Sequence, residues 1–186
     1  MRIIAGKYKG RILESPRDGD VRPATGRVKG TIFNMLQNRL NLIGASVLDL
    51  FAGSGSLGFE ALSRGARSVT FVESTSSVLR TVEKNAAHLG CEDDCDFLRS
   101  PAEDYLLHAR EKFDLIFADP PYAYTDTGRI PLQVFQKDLL KREGFLIIEH
   151  TKHVVFEVSE LYEEVERRIF GSTIVTFLVH RTKNQQ

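Results

Sequence analysis

The chain has 186 residues, 42% hydrophobic, 27% charged and 9% aromatic, with 14 Gly and 6 Pro. These proportions exclude disordered, collagen-like and low-complexity classes and fit one domain with a substantial core. Basic and acidic residues balance at 25 each, yet residues 1–39 hold nine Lys or Arg against three acids, a bias that points to a polyanion or to a solvated basic surface.

Arg2–Ala5 and Gly10–Glu14 read as two short strands of a β-hairpin around the charged Gly6-Lys7-Tyr8-Lys9. Pro16, Gly19 and Pro23 mark a loop, and Thr25 is placed to cap a helix beginning near Gly26. Val28, Ile32, Phe33, Leu36 and Leu40 recur at helical spacing, which carries that helix to about Asn41. From residue 46 the pattern alternates. Strands are expected at 46–50, 68–72, 94–98, 113–118 and 145–149, and helices at 56–64, 76–89, 102–110 and 132–141. Such alternation means a mostly parallel sheet with helices on both faces. Residues 165–170 and 173–180 are strand-like, and Gly171-Ser172 between them reads as a hairpin turn, so the sheet ends in an antiparallel pair. The expected division is a basic hairpin-helix arm, 1–41, and an α/β body, 42–186, in one compact unit.

No apolar run approaches the ~18 residues of a membrane span. Met1 to Lys7 lacks the apolar core of a signal peptide, so a cytoplasmic, reducing setting is expected. Cys91 and Cys95 have no matching His or second cysteine pair, and the five His are scattered, so no metal is expected.

The first chemical constellation is Asp49-Leu50-Phe51-Ala52-Gly53-Ser54-Gly55, continued by Ser56-Leu57-Gly58. It places GxGxxG between a strand and a helix, where glycine permits a tight turn and close approach of backbone to ligand. Glu73 follows 20 residues after Gly53 at the end of the next strand, where a carboxylate can accept both ribose hydroxyl hydrogens. Asp49 stands beside the loop. A carboxylate there repels a pyrophosphate and suits a ligand carrying an ammonium and a sulfonium, which favours S-adenosylmethionine over NAD.

The second constellation is Asp119-Pro120-Pro121-Tyr122, after the apolar run Phe113–Ala118. Two prolines stiffen the loop and remove two donors, leaving carbonyls facing outward. Asp119 adds an acceptor and Tyr122 a flat ring. Together they suit a planar exocyclic amine on a base.

These two motifs resemble those of class I S-adenosylmethionine-dependent amino-methyltransferases. The start, Arg2-Ile3-Ile4-Ala5-Gly6-Lys7-Tyr8-Lys9-Gly10-Arg11, followed by Arg22-Pro23-Ala24-Thr25-Gly26-Arg27-Val28, is similar to the RsmD family of 16S ribosomal RNA (guanine-N2)-methyltransferases. The resemblance implies a Rossmann-like seven-stranded sheet and transfer of a methyl group to a guanine amine in 16S rRNA or the 30S subunit. It implies cofactor contacts at Asp49, Phe51, Ala52, Gly53, Ser54, Gly55 and Glu73, and in the segment Ser100, Pro101, Ala102. It implies that Asp119, Pro120, Pro121 and Tyr122 hold the target base, and that Lys7, Lys9, Arg11, Arg22, Thr25 and Arg27 contact RNA. Pro101 stands where the family often has an aspartate for the adenine amine, leaving Ser100, Glu103 or main chain for that contact. Tyr8 can stack on RNA or close the first hairpin. A monomer is expected. The competing readings are an NAD-dependent oxidoreductase on the same glycine loop, an adenine-N6 DNA methyltransferase, and an RNA-binding assembly factor without catalysis.

Overall fold

The computed structural model describes residues 1–16 and 26–182. Among these, seven strands form one sheet: β1 (Ser46–Asp49), β2 (Ser68–Glu73), β3 (Cys95–Arg99), β4 (Phe113–Ala118), β5 (Leu140–Thr151), β6 (Tyr162–Phe170) and β7 (Thr173–His180). Their order is β3-β2-β1-β4-β5-β7-β6. The first five strands pair in parallel, and β7 is antiparallel to both of its neighbours. The chain leaves β1 toward β2 and β3, then returns to β4 on its other side. That reversal opens a crevice at the carboxyl ends of β1 and β4.

The helices α1 (Gly26–Leu36), α2 (Ser56–Ser63) and α3 (Ser76–Leu89) cover one face of the sheet, and α4 (Ala102–His108) and α5 (Ile130–Gln136) the other. Alternation along the strands divides the core. Val47, Phe71, Phe117, Ile147 and Val175 point to the first face, while Leu48, Val72, Ile116, Ile148 and Leu178 point to the second. Strands buried on both faces need continuous apolar runs, which is why β4 reads Phe-Asp-Leu-Ile-Phe-Ala. The edge strand β6 instead carries Glu163, Glu164, Glu166, Arg167 and Arg168, and charge of this kind discourages edge-to-edge pairing. Gly171 takes φ +63° in the turn to β7, as a primed hairpin turn requires.

Several expectations need correction. The N-terminal hairpin is reduced to one antiparallel bridge, Arg2 to Ile12, with a few main-chain bonds around it. The segment binds α2 instead: Ile4 and Ala5 amides donate to the Glu60 carboxylate, and the Lys7 amide to the Ser63 carbonyl. Helix α1 stops at Leu36 rather than Asn41, because Gln37, Asn38 and Arg39 are exposed and the chain turns there. Helix α5 starts at Ile130 and ends at Gln136, earlier than expected, since Pro131 is compatible with a first helical turn. Strand β5 begins at Leu140, and the charged Lys141-Arg142-Glu143 concealed that extension. The cap expected from Thr25 lies outside the described residues.

Candidate active site

The glycine loop is built by close packing. Gly55 precedes α2 at φ +74°, and a Cβ there would lie 2.4 Å from the Phe59 ring. Gly58 lets α2 approach β2: a Cβ would meet the Phe71 ring at 2.4 Å. Asn85 of α3 is buried and ties the loop down, donating to the Ser54 carbonyl at 3.0 Å while bonding both main-chain groups of Glu14.

Asp49 ends β1 almost fully buried and accepts from the Gly58 amide at 3.0 Å. Burial pushes its carboxyl up to about 7, opposed by the Gly58 bond and assisted by the nearby Glu73 charge. Its carboxylate therefore occupies a free amide at the start of α2, where a dinucleotide would seat its pyrophosphate. Glu73 ends β2 and is held by the Gly53 amide at 3.2 Å and the Thr75 amide at 2.9 Å.

Asp119 follows β4 and stands on the same sheet face as Asp49. Burial raises its carboxyl well above the usual range, and the charges of Glu149 and Asp49 add to that. The loop beyond it crosses toward β7, where the Tyr122 hydroxyl lies 3.5 Å from the Thr173 hydroxyl.

The two constellations open into one cavity of about 430 Å³. Asp49, Phe51, Ala52, Gly53, Ser54, Glu73, Ser100, Pro101, Ala102, Asp119, Pro121 and Tyr122 all border it. Gly55 and Pro120 do not: the first packs on Phe59 and the second is buried in the loop. The wall also contains residues the sequence reading missed, among them Thr75, Val78 and Tyr124. Tyr124 packs edge-on against Phe51, with ring centroids 5.1 Å apart, and its hydroxyl donates to Glu103 at 3.4 Å. An aromatic outside any motif gave no sequence signal.

The arm behaves differently. Lys7, Lys9, Arg11 and Arg27 are exposed, whereas Arg22 and Thr25 lie outside the described residues. Tyr8 is only 6% exposed, within the core, so it is unavailable for stacking on RNA. Lys7 and Tyr8 bond Ser63 at the end of α2, and Arg11 bonds the His88 carbonyl at the end of α3. The cavity borders the opposite end of α2, about 12 Å away along eight residues. Lys29, counted with the basic arm, is fully buried. Its ammonium donates to the Arg2 carbonyl at 2.9 Å and the Ser56 hydroxyl at 3.0 Å, and stands 3.5 Å from Glu60.

Among the described residues no group of three His, Cys, Asp or Glu is arranged to hold a metal ion, and no helix is long and apolar enough to cross a membrane.

The family model described as conserved hypothetical protein 95 matches residues 1–179. The ribosomal RNA small subunit methyltransferase D of Haemophilus influenzae is 36% identical over 184 residues, covering 97% of this chain and 93% of its own. A hypothetical protein of Thermus thermophilus superposes with a TM-score of 0.82 at 29% identity, covering 97% of this chain and 99% of its own. The Thermus thermophilus 16S rRNA N2 G1207 methyltransferase, solved with AdoMet and guanosine, shares the fold at a TM-score of 0.63 and 20% identity, covering 89% of this chain and 45% of its own. The chain belongs to the conserved hypothetical protein 95 family, which is the RsmD family of ribosomal RNA small-subunit methyltransferases.

Proposed function

We propose that the protein transfers a methyl group from S-adenosylmethionine to the exocyclic N2 amine of a guanine in small-subunit ribosomal RNA. One observation carries this reading: the Asp49 loop and the Asp119 loop face a single cavity. The cofactor would supply an electrophilic methyl group. The lining fits it. Glu73, fixed by two amides, offers acceptors for ribose hydroxyls, and the Asp49 carboxylate favours a cationic amino acid part. Ser100, Pro101 and Ala102 line the wall beyond β3 and would border the adenine.

An exocyclic guanine amine is a poor nucleophile, because its lone pair is delocalised into the ring. Asp119, which borders the cavity, would accept one of its hydrogens and favour a pyramidal nitrogen. Its charge would also stabilise the positive charge that grows there during attack. Asp119, with its raised proton affinity, is placed to take the proton that the methylated nitrogen releases. Holding nitrogen, carbon and sulfur in line supplies most of the remaining acceleration, up to ~7–11 kcal/mol in ideal cases. The target base must leave its stack to enter, and Tyr122 offers it a replacement surface.

Residues 1–41 would form the RNA-contacting arm of a monomeric enzyme. Arg22, Thr25 and Arg27 would contact RNA. Lys7, Lys9 and Arg11, at the far end of α2 and α3, would meet a part of the RNA away from the target base. Labelled methyl transfer to bare 16S rRNA, 30S particles and DNA, followed by nucleoside analysis, tests the whole reading. N2-methylguanosine in rRNA or particles is expected. Methyladenine in DNA, or cofactor binding without transfer, would overturn it.

A further inference from the structure

Glu149 is a charged residue inside the sheet that the reaction as described does not use. It lies on β5 at the same depth as Asp119. Ala118 of β4 pairs with Ile148, so the next residues along these two parallel strands are Asp119 and Glu149. Parallel neighbours at one depth share a face and stand about 4.8 Å apart. On its other side Glu149 pairs with Val175 of β7, whose side chain belongs to the core beneath α1 to α3. Two residues along, Thr151 pairs with Thr173.

The Asp-Pro-Pro-Tyr loop passes over this point. It leaves the end of β4, and the Tyr122 hydroxyl reaches Thr173 on β7. Strand β5 lies between those two strands. Glu149 therefore sits beneath the crossing, between Asp119 at the end of β4 and Val175 of β7, two residues along β7 from Thr173. Its Oε2 is buried and has no hydrogen-bond partner among the described residues. A buried carboxylate oxygen left unpaired is costly, so a donor supplied by a ligand would recover that penalty.

This inference rests on the guanine reading above and deepens it. We propose that Glu149 determines base specificity: its carboxylate accepts the ring N1–H of the target guanine while Asp119 accepts from the adjacent N2 amine. Guanine presents N1–H and N2–H side by side on one edge, and two carboxylates on neighbouring strands match that pair of donors. Adenine has an acceptor at N1 and would set its lone pair against the carboxylate. Burial raises the Glu149 carboxyl to about 6.

The test uses 2-aminopurine, which keeps the reacting amine but has a bare acceptor at N1. The target is mapped with labelled methyl donor. Small-subunit rRNA is then ligated with guanine or 2-aminopurine at that position, bare or assembled into particles as the wild-type enzyme requires. Wild-type protein should prefer guanine by about a hundredfold or more, as sites built around a specific donor do. Glu149→Gln offers its amide hydrogens to 2-aminopurine N1, so its preference should shrink to within about tenfold. Cofactor titration confirms that the variant is folded. An unchanged preference in Glu149→Gln overturns the assignment, because a merely structural role would slow both substrates alike. Equal use of both bases by wild-type protein overturns it without any variant. A wild-type enzyme that modifies no rRNA guanine overturns the guanine reading itself, and this assignment with it.

Discussion

Asp49 accepts the Gly58 main-chain hydrogen at 3.0 Å, so a strand-end carboxylate takes up an amide in the first turn of the following helix. The bond fixes the glycine loop between them, yet it does not offset the burial of the charge, and the carboxyl is held up at about 7. The unfolded chain ionises this group near 3.9.

Stability should therefore depend on pH in a definite direction. Below about pH 4 both states carry the proton and no penalty exists. Between there and 7 the unfolded chain releases it and the folded chain keeps it, so stability falls as pH rises. Above 7 the loss is constant at about 4 kcal/mol. Asp49→Asn stays neutral throughout. Its stability relative to wild type should climb between pH 5 and pH 8 in urea unfolding, and a difference that stays flat would refute the assignment. A cationic ligand reverses the preference and draws the proton off. Cofactor affinity of the wild type should rise roughly tenfold per pH unit below 7, and this slope should vanish in Asp49→Asn.

The sequence exposed the parts of this arrangement that local chemistry dictates. Helix α3 was readable at both ends because its apolar spacing is regular and Gly90 stops it at φ +69°. The cavity walls at Asp49, Glu73 and Asp119 follow strands whose apolar runs mark their ends. Tertiary effects hid the rest. Lys29 looked like one more arm cation, and only its burial against Glu60 and Ser56 removes it from the surface. Tyr8 sits between two lysines in the chain, yet its ring is in the core. Glu149 became conspicuous only through the register that sets it beside Asp119.

Gly58→Ala should loosen the cofactor loop. The new methyl would start 2.4 Å from the Phe71 ring and 2.8 Å from Val69, both buried in the sheet. Neither can withdraw, so α2 must move outward and lengthen the bond to Asp49. Overpacking of this kind costs typically ~1–3 kcal/mol. Thermal melts should fall by that amount, and cofactor affinity should weaken with it. Wild-type affinity in a destabilised variant would show that the loop does not depend on this packing.

Lys29→Ala should be more damaging than loss of any exposed arm cation. Its removal deprives Glu60 of a nearby charge, although Arg64 and the Ile4 and Ala5 amides remain. The Arg2 carbonyl and the Ser56 hydroxyl lose their donor together. Breaking a buried pair costs ~3–5 kcal/mol when one charge is stranded. The remaining partners of Glu60 place this case near ~3 kcal/mol. Lys9→Ala, at an exposed position, should change the urea midpoint little. Equal losses in the two variants would contradict the buried network.

Asp119 and Tyr122 should separate chemistry from binding. Asp119→Asn keeps the size of the side chain but removes the charge that stabilises the reacting amine. Loss of one such group costs about 10²–10³ in turnover. Cofactor titration should change little, since Asp119 faces the acceptor end of the cavity. Tyr122 is 59% exposed and its hydroxyl makes only a long contact with Thr173, so its ring is the functional part. Tyr122→Phe should keep near wild-type activity, whereas Tyr122→Ala should raise KM for RNA by the ~1–3 kcal/mol of one base–aromatic stack. Equal impairment of the Phe and Ala variants would assign the role to the hydroxyl. Full turnover in Asp119→Asn would remove the carboxylate from the reaction.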